Sequence, residues 1–235
     1  MVADGEPGPE VDDLRGESAP REDHERAHRG QEAGGEAGGD DQEIRLRGAT
    51  RQVQRAMVRG PARGPDFAAI RKLTEECFMP LTVGGGVRSV EDVKGLLDAG
   101  ADKVAIKTNI DVGYDAAKRY GSQALVAVMD ELPPYHLCDD VACAWADLGY
   151  GEILLTSIER EGTMEGYDLE LIHLVANVVD IPVIAHGGCS GYEDMYNAIQ
   201  AGASAVAAGA LFQFTDCTPR GAAEYLSSKG VEVRL

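Results

Sequence analysis

The feature that most constrains this chain is an internal repeat, in which residues 79–110 match residues 181–212 at one fixed offset. The sequence of each copy predicts a short buried strand, a glycine-rich turn, a helix and a second strand. The matched positions are Pro80 with Pro182, Gly85 and Gly86 with Gly187 and Gly188, Glu91 and Asp92 with Glu193 and Asp194, Ala99 to Ala101 with Ala201 to Ala203, and Val104 and Ala105 with Val206 and Ala207. Agreement at one offset without a gap predicts an internal duplication.

The two glycine turns are the first candidates for a binding site. A glycine turn after a strand lets the backbone approach a ligand, and its N–H groups and the following helix N-terminus can hold an anion. The alternative is that the glycines only allow tight packing of strand against helix. Two copies in register favour phosphate binding, and a pseudo-twofold pair indicates a substrate with a phosphate at each end.

The helix that follows the first turn carries recognisable start and stop signals. Ser89 and Asp92 have capping-box spacing, with Asp in place of the usual Glu or Gln. Val90, Val93, Leu96 and Leu97 form one apolar face, and Gly100 fits the end of the helix.

Net charge excludes several classes of partner. At −18, the chain would be repelled by nucleic acid and by anionic membrane surfaces, so phosphate binding would have to be local. No apolar run is long enough to span a membrane, and the start lacks a secretory signal pattern. We therefore expect a cytoplasmic protein.

The five cysteines, at positions 77, 138, 143, 189 and 217, show no C-x-x-C pairing. They predict reduced, mostly buried thiols. A zinc site formed by His136, Cys138 and Cys143 is the less favoured alternative.

Residues 1–62 have a different composition from the rest of the chain. No aromatic residue precedes Phe67 and no lysine precedes Lys72, while Glu, Asp, Arg and Gly are abundant. Such a segment cannot bury enough apolar surface to offset its conformational entropy, so disorder is expected. From Ile44 to Arg59 the charge turns basic, which is compatible with a frayed helix. Residues 1–62 can be interpreted as an interaction tail or as a frame-altered stretch, and the second interpretation is favoured. His24 and His28 are expected to be solvated.

From residue 63 onward, strands and helices alternate. Helices are expected near 66–76, 116–120, 138–148, 169–178 and 220–229, in addition to those of the repeat. Six strands are expected, at 80–83, 103–106, 124–129 and 153–157 and near 183 and 206. Alternating β and α units predict a parallel sheet, and closure as a (β/α)₈ TIM barrel is natural. Two strand–helix units are not recognisable, so residues 63–235 are predicted to form an incomplete barrel domain.

Five segments carry a resemblance to a known family: PDFAAIRKLTEECFMPLTVGGGVRS, AGADKVAIKT, AAKRYGSQALVAVMD, GEILLTSIEREGTMEGYDLELI and IPVIAHGGCSGYED. They are similar to the cyclase subunit of imidazole glycerol phosphate synthase, from about Pro65 to the end of the chain. The resemblance implies a barrel enzyme of histidine biosynthesis without cofactor or metal. It implies a substrate with two phosphates, a ribulosyl aminoimidazole carboxamide nucleotide. Ammonia from a partner glutaminase would close the imidazole ring and release aminoimidazole carboxamide ribotide.

The same resemblance assigns site residues. Asp130, at the end of its strand, matches the catalytic carboxylate, which suits a general acid; by itself it could equally be a capping or turn residue. The first phosphate would contact Gly85, Gly86, Lys107 and Thr108. The second would contact Gly162, Thr163, Gly187, Gly188, Gly209 and Ala210, and His186 could donate to a phosphate.

The chain departs from the family pattern at several positions. The family's other catalytic Asp, at the end of the first strand, has no counterpart here. Lys107 stands where Asn is usual, Glu161 replaces Asp, His186 replaces Ser, and Ala210 stands where Ser is common. Two further hypotheses therefore stand beside the cyclase. One is a paralogue that feeds ammonia to sugar amidation in surface-polysaccharide synthesis, which EECFMPL resembles. The other is a non-catalytic remnant that binds phosphate.

Overall fold

A computed structural model describes residues 64–135 and 138–233 of the chain. The expectations for residues 1–62, including the basic stretch 44–59 and the pair His24 and His28, lie outside the described residues.

Six strands and eight α-helices alternate over the described part of the chain. The strands are β1 Thr82–Gly84, β2 Lys103–Ile106, β3 Leu125–Glu131, β4 Glu152–Ser157, β5 Val183–His186 and β6 Ala205–Ala207. The helices are α1 Phe67–Glu76, α2 Val90–Asp98, α3 Ile110–Tyr120, α4 Cys138–Asp147, α5 Leu169–Ala176, α6 Tyr192–Gln200, α7 Ala210–Phe214 and α8 Pro219–Ser228. A 3-10 turn at Ser122–Ala124 leads into β3.

The strands form one parallel sheet in the order β1-β2-β3-β4-β5-β6, with each strand paired to its neighbour in sequence. This curled six-stranded sheet with helices against it confirms the prediction of an incomplete (β/α)₈ barrel.

The repeat predicted from the sequence is present as structure. α2 and α6 begin and end at equivalent residues, and each lies between two parallel strands. The capping box of α2 is formed, since the Ser89 side chain accepts from the Asp92 amide and Asp92 accepts from the Ser89 amide. Gly100 and its counterpart Gly202 have φ of 102° and 112°, the left-handed conformation that ends a helix at glycine.

Two elements differ from the sequence prediction. α3 begins at Ile110, not near 116, although Gly113 lies within it. The reason is tertiary: a Cβ at Gly113 would come within 2.0 Å of the Tyr150 hydroxyl, so this glycine makes room for a buried aromatic ring. β3 continues through Glu131, so Asp130 lies within the strand and does not follow it.

The sheet separates two apolar clusters. The larger one fills the space between sheet and helices, with Leu81, Leu96, Leu125, Leu155 and Leu171 among its buried members. The smaller one covers the opposite, concave face and consists of Ala105, Val126, Val128, Leu154 and Ile184, with Ala207 packed against it. Successive strand residues point to opposite faces, so the sheet is buried on both sides, as its nearly continuous apolar strands predict.

All five cysteines are free thiols, with Cys138 and Cys189 buried and the other three half-buried. Among the described residues no group of three His, Cys, Asp or Glu side chains could hold a metal ion; His136 of the alternative zinc site lies outside them. No helix in the described ranges is long and apolar enough to cross a membrane.

Candidate functional site

Polar residues replace apolar ones at the carboxyl edge of the concave face. Each stands two positions beyond a member of the smaller cluster, and side chains at that spacing share a face. They are Lys107 after Ala105, Asp130 after Val128, Thr156 after Leu154, and His186 after Ile184. We call these four residues the polar row. In parallel barrels this edge is where active sites form.

Lys107 and Asp130 form an ion pair across β2 and β3. The Lys107 Nζ lies 2.5 Å from the Asp130 Oδ2, and the two side chains are 55% and 14% exposed. The family resemblance assigned Lys107 to a phosphate, but in the structure its ammonium group contacts the carboxylate of Asp130. The other carboxylate oxygen, Oδ1, is buried without a hydrogen-bond partner. A buried carboxylate oxygen without a donor costs free energy, so this atom is a natural acceptor for a ligand.

Thr156 and His186 continue the row. Thr156 is paired in register with both Asp130 and His186, is fully buried, and its hydroxyl lies 3.3 Å from the His186 Nδ1. The half-buried ring of His186 therefore stands on the same face as Asp130, with Thr156 between them. Thr156 was not identified from the sequence, although its alternation with Leu154 could have revealed it.

The first glycine turn is open to solvent. Gly85 and Gly86 are exposed, with φ of 111° and 72°, and a Cβ at Gly85 would meet nothing within 4 Å. The Asn109 side chain donates to the Val87 carbonyl at 2.8 Å and ties this turn to the loop that carries Lys107 and Thr108, which are both exposed. The structure thus places the four residues assigned to the first phosphate in two adjacent loops.

The second glycine turn is covered. Gly187 and Gly188 are buried, with φ of 97° and 92°. A Cβ at Gly187 would lie 2.7 Å from the Ser157 carbonyl oxygen, and one at Gly188 would lie 2.2 Å from that of Gly166. The two turns end parallel strands, so they lie at the same edge of the sheet, but their surroundings are not equivalent.

The loop 158–168 is the cover of the second turn. Gly166 donates its N–H to the Gly188 carbonyl at 2.7 Å. Thr163, assigned to the second phosphate, donates its hydroxyl to the Arg160 carbonyl within the loop. Gly162 and Thr163 are exposed, whereas Gly187 and Gly188, which were assigned to the same phosphate, are buried.

The last two residues assigned to the second phosphate stand after β6. Gly209 is exposed and precedes the short helix α7, of which Ala210 is the first residue. A Cβ at Gly209 would meet nothing within 4 Å, so this corner is open. It belongs to the same carboxyl edge as the two glycine turns.

The helices that follow the glycine turns already hold a carboxylate at their N-termini. Asp92 accepts from the amides of Arg88 and Ser89, and the equivalent Asp194 accepts from the amide and hydroxyl of Ser190. These carboxylates occupy amides of the residues that precede each helix, and their negative charge disfavours a second anion at the same place.

A separate cavity of about 870 Å³ lies between loop 158–168 and helices α5 and α6, away from the polar row. The Tyr135 hydroxyl donates to Asp168 at 2.5 Å there, and burial together with this bond raises the pKa of Tyr135 well above its usual value. Arg160 lies 3.8 Å from the same carboxylate. These contacts hold the loop against α5.

A family model described as "Histidine biosynthesis protein" matches residues 60–218. The match covers more than half of the chain, including every strand, both glycine turns and the polar row.

Proposed function

The chain belongs to the histidine biosynthesis protein family, and we propose that within this family it is the cyclase subunit of imidazole glycerol phosphate synthase. Members of this family are histidine biosynthesis enzymes built on the barrel described above. The proposal names the reaction: ammonia closes the imidazole ring of a bis-phosphorylated ribulosyl nucleotide, and aminoimidazole carboxamide ribotide is released.

The environment of the Asp130 side chain is the observation that best supports the cyclase proposal. Its carboxylate stands on the concave face at the carboxyl edge, with Oδ2 held by Lys107 and Oδ1 buried without a partner. Ring closure requires proton transfer as ammonia adds to a carbonyl and its oxygen leaves as water. A fixed carboxylate with one oxygen that has no hydrogen-bond partner can take the proton from the incoming nitrogen and return it to the departing oxygen.

Ammonium-dependent turnover of the bis-phosphorylated substrate by the purified chain tests this proposal. We expect Asp130→Asn to abolish turnover, because the amide cannot accept the proton. Glu131→Gln is the matched control, since Glu131 is adjacent in β3 but points to the other face, and it should retain turnover. Equal activity of Asp130→Asn and the parent chain would refute the role of Asp130.

The ammonia source is proposed to be a glutaminase partner. The partner would make turnover depend on glutamine, whereas the isolated chain would require ammonium. Glutamine-dependent turnover in the reconstituted pair, measured against ammonium-dependent turnover of the chain alone, tests this part. If the chain instead supports amidation of a sugar with the same partner, it belongs to the surface-polysaccharide branch.

A phosphate-binding module without turnover is the second candidate. It is favoured by the exposed first turn, where Gly85, Gly86 and Thr108 are accessible while Asp130 is already paired with Lys107. Titration calorimetry with a bis-phosphorylated sugar separates the two candidates. Binding in the absence of any turnover by the parent chain would support the module and contradict the cyclase.

A further inference from the structure

The curled sheet has two outer edges. Over the described ranges, β1 pairs only with β2 and β6 pairs only with β5. A barrel of this type closes with eight strands, and six are described. We call the two outer edges, Thr82–Gly84 and Ala205–Ala207, the open seam. Unpaired strand edges bind further chain segments readily.

The repeat provides an internal measure of how exposed the seam is. Val104 and Ala105 in β2 are 0% and 6% exposed. Their equivalents in β6, Val206 and Ala207, are only half-buried, and Ala205 is exposed. The same sequence positions are therefore covered in the middle of the sheet and uncovered at its edge.

Two exposed phenylalanines lie close in sequence to the two edge strands. Phe78, four residues before β1, is 97% exposed, and Phe214, at the end of α7 after β6, is 72% exposed. The repeat equivalent of Phe78 is Asp180, which precedes β5, a strand paired on both sides. A large aromatic side chain thus replaces a carboxylate at the copy that borders the seam, which indicates a surface that another segment covers.

The chain itself supplies the nearest candidate to cover it. The described chain begins at Gly64, where a Cβ would lie 3.9 Å from the Asp92 Oδ1 at the start of α2. The described chain therefore begins at the carboxyl edge, near the start of α2. Eighteen residues can reach roughly 60 Å, whereas the space for two further strands beside the six described ones is about 14 Å wide.

Charge favours this segment over a second copy of the chain. Between residues 46 and 63 there is no acidic residue, and arginines recur at every fourth position: Arg47, Arg51, Arg55, Arg59 and Arg63. After Gly64, acidic residues outnumber basic ones by more than two to one. A second copy would bring the same net negative charge, while the basic segment is attracted and tethered at high effective concentration.

We propose that residues 46–63 bind across the open seam of their own chain, contacting Phe78 before the amino end of β1 and Phe214 beyond the carboxyl end of β6. Leu46, Val53, Met57 and Val58 provide the apolar surface that these rings would meet. The arginines provide the attraction to the acidic body. The segment then covers the two strand edges that lack a neighbour among the described residues.

Photo-cross-linking of the full-length chain tests the proposal. Phe78 and Phe214 are replaced, one at a time, by the photo-reactive analogue p-benzoylphenylalanine, which keeps an aromatic ring in place. Tyr114 on α3, 42% exposed, receives the same replacement as a control. Equal amounts of ¹⁴N- and ¹⁵N-labelled protein are mixed before irradiation, so that cross-links within one chain and between chains differ in mass.

We expect cross-links from positions 78 and 214 to peptides within residues 46–63 of the same chain, and none to those peptides from position 114. Adding Leu46→Asp, Val53→Asp and Met57→Asp should remove most of this product, and higher salt should reduce it. Mixed-isotope cross-links would show a second copy in the seam and overturn the proposal. Absence of cross-links to 46–63 from both positions would also overturn it.

Discussion

Gly85 and Gly187 occupy equivalent positions in the repeat and adopt nearly the same backbone conformation, with φ of 111° and 97°. Only Gly187 has a close neighbour, the Ser157 carbonyl oxygen at 2.7 Å from a built Cβ. Gly85→Ala should cost about 1 kcal/mol, from backbone strain alone. Gly187→Ala should cost a further amount of about 1–3 kcal/mol, because the Cβ displaces the backbone of β4.

Urea unfolding of both variants measures these costs, and Gly85→Ala is the control for backbone strain. Equal costs for the two substitutions would show that the end of β4 does not pack against Gly187 as described.

Glu131 provides a test of pH dependence. Burial, followed by the charge of Asp130, raises the pKa of Glu131 above its usual value. A carboxyl group with a raised folded-state pKa binds its proton more tightly when folded, so its contribution to stability is present at low pH and is lost as pH rises through that pKa. Glu131→Gln should therefore stabilise the protein near neutral pH, and the gain should vanish in acid. Urea unfolding at both pH values measures it; a gain that persists in acid would contradict this cause.

The polar row shows how far single residues could be predicted. The resemblance identified Asp130 and His186, and the structure places both on one face. The contact between Lys107 and Asp130 could not be read from the sequence, because it depends on the register of two strands and on the reach of a flexible side chain. Thr156 was not identified as a site residue, although it lies within one of the segments that carry the resemblance; its alternation with Leu154 places it on the same face as the other three residues.

At the scale of elements, the repeat offers a direct comparison of helix starts. Ser89 caps α2, while its equivalent Gly191 starts α6 without a side-chain cap. Gly191 is extended, and a Cβ there would meet nothing within 4 Å. Ser89→Ala should lower the free energy of unfolding by about 1 kcal/mol, and Gly191→Ser should raise it by about 0.5 kcal/mol.

Chemical denaturation of the two variants, and of a double variant in which the effects should add, provides the measurement. No gain in stability from Gly191→Ser would show that the start of α6 does not need a side-chain cap.

Elements were predictable where local signals and burial agree. The start and end of α2 follow from Ser89, Asp92 and Gly100, and the structure confirms them. The sequence prediction placed the start of α3 six residues too late, because glycine is unfavourable inside a helix. The prediction could not include the ring of Tyr150, which fills the space beside Gly113. Packing between distant residues overrides propensity there.

At the scale of the whole molecule, the two faces of the sheet should contribute unequally to stability. Leu154 and Leu155 are adjacent, 3% and 1% exposed, and belong to the small concave cluster and the large outer cluster respectively. Leu155→Ala should cost about 3–5 kcal/mol, whereas Leu154→Ala should cost about 2–3 kcal/mol, since the small cluster can relax more easily around a cavity.

Thermal and urea unfolding of these two variants form a matched comparison, with the same atoms removed one residue apart. A larger cost for Leu154→Ala would show that the concave cluster is the tighter of the two.

The parallel sheet was predictable at this scale because alternating strands and helices permit few other topologies. The unequal exposure of the two repeats was not predictable. It arises from position in the sheet, which the two copies do not share even though their local sequences match.

The difference between the exposed first glycine turn and the covered second one makes the two halves of the repeat non-equivalent for binding. A ligand charged alike at both ends would meet one entrance that is accessible and another that is sealed until a loop withdraws. One end of such a ligand would then bind first at the exposed turn, and the other end would bind at the covered turn afterwards. The two halves of the repeat would therefore bind the two ends of the ligand in a fixed order, although both ends carry the same group.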